Sequence, residues 1–178
     1  LRVHPTLVPE QCLIAGVNDV SNAVMVNADS VGTTLFYGPG AGSEPTASAV
    51  IADIVDVART MDSYPDSWVP PLGIPSQSLQ SLSIMNIENV ETGFYIRFSA
   101  LDKPGVLSTV TTIMGDAGIS IEAIIQREQP AGESYVNVII LTNVTKEKYL
   151  DEAVKHIEEL DTVRGYVNFI RVEYLDQA

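Results

Sequence analysis

Apolar and polar positions alternate from Phe94 to Ala100. Phe94, Ile96, Phe98 and Ala100 fall on one side and Tyr95, Arg97 and Ser99 on the other, which is the period of a half-buried strand. Asp102-Lys103-Pro104-Gly105 then turns the chain and the period changes. Val106, Leu107, Val110, Ile113, Met114 and Ala117 recur at helical spacing until Gly118 ends the run. Residues 119–128 predict a second strand, Pro130-Ala131-Gly132 a hairpin turn, and 134–142 a third strand. Leu150, Ala153, Val154, Ile157 and Leu160 predict a helix over 146–160, and 163–174 a closing strand. The order β-α-β-β-α-β is the ferredoxin-like split arrangement. Ile139 and Leu141 lie on the strand face opposite Val136, Val138 and Ile140, so a second covered surface is expected, as pairing of two such units requires.

The first third of the chain has a different pattern. Residues 2–8 read as an extended segment ended by Pro9. Residues 22–28 and 31–37 are β-rich runs on either side of an Asp29-Ser30 turn, a hairpin that delivers the chain to Gly38-Pro39-Gly40-Ala41-Gly42. Val50, Ile51, Ile54, Val55 and Ala58 then mark the apolar face of a helix that runs to about Arg59. This helix is expected to return across the hairpin sheet, with Ser43 as its cap and Pro45 in its first turn. A hairpin and one helix form a small unit, so another domain or a second chain is expected to cover its apolar faces.

Between these regions the periodicity stops. Pro65, Pro70, Pro71 and Pro75, with serines at 63, 67, 76, 78, 81 and 83, deny a regular helix or a central strand. This stretch is a connector. Its Trp68, Val69, Leu72 and Ile74 predict that it lies on a surface. The fold class is thus α+β: a partial α/β catalytic-region sheet over 1–62, a Pro/Ser-rich connector over 63–90, and a ferredoxin-like unit over 91–178.

Composition narrows the function classes. Hydrophobic residues make up 46% and charged residues 19%, which describes a globular chain. A net charge of −13 argues against nucleic acid and anionic membranes as partners. Cys12 is the single cysteine, so no internal disulfide forms and a cytoplasmic location is expected; as a small packed residue it is preferred to a nucleophile. Arg2 and Arg59 are the only basic residues before position 91. The chain opens at Leu1, within a run that reads as the middle of a longer polypeptide.

Candidate chemistry concentrates in two loops. Gly38, Gly40 and Gly42 let another group approach the backbone, and the N–H groups from Ser43 onward lie at a positive helix end. The spacing is G-x-G-x-G and not the G-x-G-x-x-G of a dinucleotide fold, so glycines that merely allow tight packing are an equal reading. In the second unit Asp102 precedes a helix whose Gly105, Val106 and Leu107 N–H groups are placed to hold an α-carboxylate. Asp102 is placed to meet an α-ammonium, and Gln126 to reach a ligand side chain. Asp102 as a helix cap alone is the other reading. His4 reads as packed or hydrogen-bonded, His156 as solvated and Asn22 as locally bonded. Two histidines so far apart and one cysteine offer no metal-ligand spacing.

The literal residues add a resemblance. Val3-His4-Pro5, Asn22-Ala23-Val24, Tyr37-Gly38-Pro39-Gly40-Ala41-Gly42 and Pro45-Thr46-Ala47-Ser48-Ala49-Val50 with Asp53 resemble the later part of the catalytic region of homoserine dehydrogenase. Leu101-Asp102-Lys103-Pro104-Gly105-Val106-Leu107, Ala117-Gly118-Ile119-Ser120-Ile121-Glu122 and Gln126 resemble an ACT domain.

The resemblance implies an NAD(P)-dependent oxidoreductase that interconverts L-homoserine and L-aspartate 4-semialdehyde in threonine, methionine and isoleucine biosynthesis. The lysine and carboxylates that serve the substrate are expected upstream, since no lysine precedes Lys103. The chain alone is therefore expected to be inactive and to hold no cofactor, with no catalytic residue of its own. Gly38, Gly40, Gly42 and Ser43 would form one wall of the cofactor site, on the nicotinamide side. Asp102, Gly105, Val106, Leu107, Ile119, Ser120 and Gln126 would bind an amino-acid effector, L-threonine favoured, for feedback inhibition. Pairing of ACT units into a homodimer or larger assembly is implied. A non-catalytic amino-acid-binding or dimerisation module is the alternative.

Overall fold

The computed structural model describes residues 2–61, 73–126 and 134–175. Two compact units are present, one built from Leu1–Pro9 with Met85–Gln177 and the other from Glu10–Ile84.

The larger unit follows the expected order. Its elements are β4 (Glu91–Leu101), α2 (Val106–Asp116), β5 (Ile121–Gln126), β6 (Tyr135–Thr142), α3 (Glu147–Glu158) and β8 (Val163–Val172). Two short strands, β1 (Thr6–Leu7) and β7 (Thr145–Lys146), join them. The sheet runs β1-β8-β4-β6-β5, and β7 pairs with β4. Alternation along β4 works as expected: Phe94, Ile96, Phe98 and Ala100 are buried and meet Val110 and Met114 of α2 and Leu150, Ala153 and Ile157 of α3. The two helices thus cover one face of the sheet. Gly118 ends α2 at φ +75°, and the Ile119 N–H reaches back to the Met114 carbonyl at 2.9 Å. The Pro130-Ala131-Gly132 turn lies outside the described residues.

One buried polar device joins helix to sheet. Glu147, the first residue of α3, accepts two hydrogen bonds from the Arg171 guanidinium on β8, the Arg171 Nε bond at 2.9 Å. Arg171 thereby satisfies a carboxylate that is only 7% exposed.

The opening segment departs from expectation. Residues 2–8 were assigned by pattern to the region 1–62, yet β1 lies with the larger unit as a parallel edge strand. Thr6 sits opposite Arg171 and Leu7 opposite Val172. The Thr6 hydroxyl donates to the Arg171 carbonyl at 3.0 Å, the Glu173 N–H donates to the Leu7 carbonyl at 2.9 Å, and Arg2 pairs with Glu173 at 2.9 Å. The reason is the free backbone of β8, whose edge offers unpaired N–H and C=O groups to any extended segment within reach.

The smaller unit holds the hairpin β2 (Ser21–Ala28) and β3 (Gly32–Pro39), followed by α1 (Ser43–Thr60). The strands pair antiparallel in register, Ser21 opposite Pro39 through Ala28 opposite Gly32. The helix does not return across this sheet. No residue of α1 is buried, and Val50, Ile51, Ile54, Val55 and Val57 are each at least 40% exposed, as are Val24, Val26, Phe36 and Tyr37 on the hairpin. Two strands are too narrow a platform for an 18-residue helix. In the connector, Ile74, Leu79, Leu82 and Ile84 are exposed; Trp68, Val69 and Leu72, on which the expectation of a surface-bound stretch mainly rests, lie outside the described residues.

Candidate effector and cofactor sites

Asp102, Gly105, Val106, Leu107 and Gln126 come together. With Leu101, Lys103, Pro104, Val136 and others they line a cavity of about 160 Å³ at the N-terminus of α2. Gln126, at the end of β5, donates from Nε2 to the Asp102 carboxylate at 3.1 Å. Gly105 takes φ +92° as the N-cap, a left-handed conformation that glycine adopts without strain, and its carbonyl accepts from Thr109 N–H at 3.0 Å. The Asp102 backbone is held by its own N–H to the Ser134 carbonyl at 3.0 Å.

The expectation of three unused N–H groups needs one correction. Val106 N–H donates to the Lys103 carbonyl at 3.3 Å, because the Asp102–Gly105 turn closes on itself. The Gly105 and Leu107 N–H groups find no acceptor among the described residues, as the first turn of a helix requires. Two donors at a positive helix end thus stand near one carboxylate. That arrangement is complementary in charge to a zwitterion.

Ile119 and Ser120 are not brought to this cavity. Ile119 is 4% exposed and belongs to the core. Ser120 meets Asn143 instead, its carbonyl accepting from Asn143 N–H and its hydroxyl from Asn143 Nδ2, both at 2.9 Å. It precedes β5 whereas Gln126 ends it, and six residues at about 3.3 Å each separate the two by about 20 Å.

In the smaller unit the glycine loop leads directly into α1. Gly42, not Ser43, is the N-cap, at φ 120° and ψ 155°, and Ser43 is the first helical residue. Only glycine reaches that backbone conformation readily, which is why the cap moves one residue upstream. Gly40 is required by a close neighbour: a Cβ there would lie 1.8 Å from the Asn22 amide nitrogen. Asn22 stands opposite Gly38 in the hairpin, so its carboxamide forms one side of the loop. A Cβ on Gly38 would meet nothing within 4 Å. The N–H groups of Ser43 and Glu44, which find no acceptor among the described residues, suit a polar ligand group, and the Glu44 carboxylate in the same turn suits a neutral amide better than a phosphate.

His4 is half-buried, with Nδ1 donating to the Pro5 carbonyl at 3.1 Å. His156 is exposed on α3. Two groups with displaced titration went unforeseen. Burial, then the charge of nearby Glu147, raises the Asp151 carboxyl above its ordinary range. Burial and a 2.8 Å hydrogen bond to Glu122 raise the Tyr174 phenol. Each depends on a partner distant in sequence or on burial, so no local pattern announces it.

The larger unit is therefore a ferredoxin-like module, joined in one chain to a glycine-loop unit. Comparison with known proteins agrees. Residues 94–162 match the family described as ACT domain, and residues 1–55 match the family described as homoserine dehydrogenase. The chain is 49% identical to the homoserine dehydrogenase of Pseudomonas aeruginosa over 99% of its own length, and 43% identical to that of Neisseria gonorrhoeae over 98%. It spans 41% and 40% of those relatives. The crystal structure of a homoserine dehydrogenase from Thiobacillus denitrificans superimposes with a TM-score of 0.87 at 49% identity, over 98% of this chain and 39% of that one. The homoserine dehydrogenase of S. aureus, at 22% identity and a TM-score of 0.52, shares the fold. Over its two matched regions the chain is thus similar to homoserine dehydrogenases and to ACT domains. Among the described residues no helix is long and apolar enough to cross a membrane.

Proposed function

We propose that this chain is the regulatory portion of an enzyme that interconverts L-homoserine and L-aspartate 4-semialdehyde with NAD(P), and that its ACT unit binds an amino-acid effector, L-threonine, for feedback inhibition. The single observation that supports an amino acid is the cavity at α2, where the Asp102 carboxylate stands near the Gly105 and Leu107 N–H groups, unpaired among the described residues. L-threonine itself rests on the place of homoserine dehydrogenase before threonine in biosynthesis.

The position of Ser120 favours a paired site. β5 is an edge strand, and an edge strand is a template for another copy. Antiparallel pairing of two β5 strands about a twofold axis sets the start of one beside the end of the other. Ser120 of a second copy then stands near Gln126 of the first, and the expected polar set is completed across the dimer.

In the smaller unit, Gly38, Gly40, Gly42 and Ser43 are assigned one wall of the cofactor site. The cofactor, when bound, supplies hydride transfer. The loop's own part is to orient its carboxamide side through the Ser43 and Glu44 N–H groups, with Asn22 holding the loop's shape. The exposed apolar faces of α1 and the hairpin support covering by the remainder of the catalytic region. A cytoplasmic location and a division into 1–62, 63–90 and 91–178 belong to the same reading, with the opening strand lent to the ACT sheet.

The test is calorimetry of the 178-residue chain against the amino acids, with sedimentation in parallel. Saturable binding of L-threonine, lost in Asp102→Ala and coupled to dimer formation, supports the reading. Absence of binding by any amino acid to a well-folded dimer would leave the ACT unit as a clamp.

A further inference from the structure

A second concavity lies on the sheet face turned away from α2 and α3. Leu7, Tyr95, Arg97, Asn168, Phe169 and Ile170 line it, with a volume of about 620 Å³. It shares no residue with the Asp102 cavity. Its size falls within the range of about 300–1,000 Å³ usual for small-molecule sites.

Arg97 is the charged group of this face. It is exposed and has no ion-pair partner among the described residues, although the chain carries a net charge of −13. Asn168 stands opposite it on β8. One N–H of the Asn168 amide donates to the Tyr166 carbonyl at 3.3 Å, which leaves the other for a ligand. The β4–β8 ladder shifts register between Arg97 and Ser99, an irregularity that turns side chains away from their regular directions. Around these donors Leu7 and Ile170 present half-exposed apolar surface, and no carboxylate lines the concavity.

We propose that this concavity binds a small organic carboxylate with a short apolar body. The carboxylate pairs with the Arg97 guanidinium, whose planar fork matches it in a bidentate manner. The Asn168 amide and Tyr95 hydroxyl add donors, and the body rests on Leu7 and Ile170. A zwitterionic amino acid is a poor fit because its ammonium meets no carboxylate here. The site therefore takes a different ligand class from the Asp102 cavity.

The experiment is a calorimetric titration of the 178-residue chain with 3-phenylpropionate, with 3-phenylpropionamide and inorganic phosphate as the comparison probes. Saturable binding is expected for the carboxylate, at least tenfold weaker for the amide and for phosphate. Arg97→Met should weaken it at least tenfold and Asn168→Ala by less, while Asp102→Ala leaves it unchanged. Arg97 is exposed, so its replacement leaves the core intact, and an unchanged melting temperature confirms this. The proposal is overturned if Arg97→Met binds as well as the parent chain, or if phosphate binds as tightly as the carboxylate. It is also overturned if no probe binds and Arg97→Glu instead separates copies of the chain in sedimentation, since the face is then an interface.

Discussion

The Arg171–Glu147 pair ties the start of α3 to β8, and its removal tests how much the larger unit depends on one polar contact. Arg171→Met leaves the Glu147 carboxylate, whose side chain is 9% exposed, without its cation. Breaking a buried pair from one side costs about 3–5 kcal/mol. Two features lower that figure. The Arg171 side chain is 17% exposed, so water reaches the site, and Glu147 lies at the N-terminus of α3, where the helix dipole favours its charge by about 0.3–1 kcal/mol. We expect a loss of about 2–4 kcal/mol for Arg171→Met and a similar loss for Glu147→Leu. The double variant Glu147→Leu with Arg171→Met should recover most of it, because an apolar pair of similar volume needs no desolvation of charge. Equilibrium urea unfolding followed by circular dichroism supplies all four corners of the cycle. If the two single changes each lose less than about 1 kcal/mol and add in the double, the pair is uncoupled and the reasoning fails.

Three further outcomes follow from single sites. Gly105→Ala should destabilise the larger unit by about 1–2 kcal/mol through backbone strain alone, since φ is +92° and an added Cβ meets nothing within 4 Å; a neutral melt would show that the loop relaxes freely. Gly40→Ala should disturb the loop through collision with Asn22, and Asn22→Gly in the same chain should relieve it, as read from backbone NMR shifts at Ala41 and Gly42; equal shifts in the single and double variants would deny the contact. For Asp151, whose carboxyl pKa is raised in the fold, the folded chain keeps a proton that the unfolded chain has released. Stability therefore falls as pH rises from the ordinary carboxylate value through the raised one. Asp151→Asn should gain on the parent chain as pH rises above the ordinary carboxylate range, and a melting-temperature difference flat with pH would contradict the assignment.

Much of the larger unit was legible because its signals are local. Strict alternation at 94–100 and helical spacing at 106–117 and 150–157 each report which face meets the core, and the core uses those faces. The Asp102–Leu107 run was legible for the same reason: a turn and a helix start lie within six consecutive residues. Gln126 joined it through the ferredoxin-like order, which places the end of β5 near the start of α2. What escaped was set by other chain segments. The occupation of Val106 N–H depends on how tightly the turn closes, and the shift of the cap from Ser43 to Gly42 on the φ that the loop must take. The placement of β1 depends on an edge that exists only once β8 has formed.

The sequence by itself determined the element order, the buried faces of the α+β unit and the two candidate loops, since periodicity and turn residues act over a few positions. Only the tertiary structure decided that residues 2–8 serve the distant sheet and that α1 leaves its apolar face open. It also decided that Arg97 lies opposite Asn168 over a concavity. Each of these is a relation between segments far apart in the chain, fixed by strand edges, strand lengths and the area one element can cover.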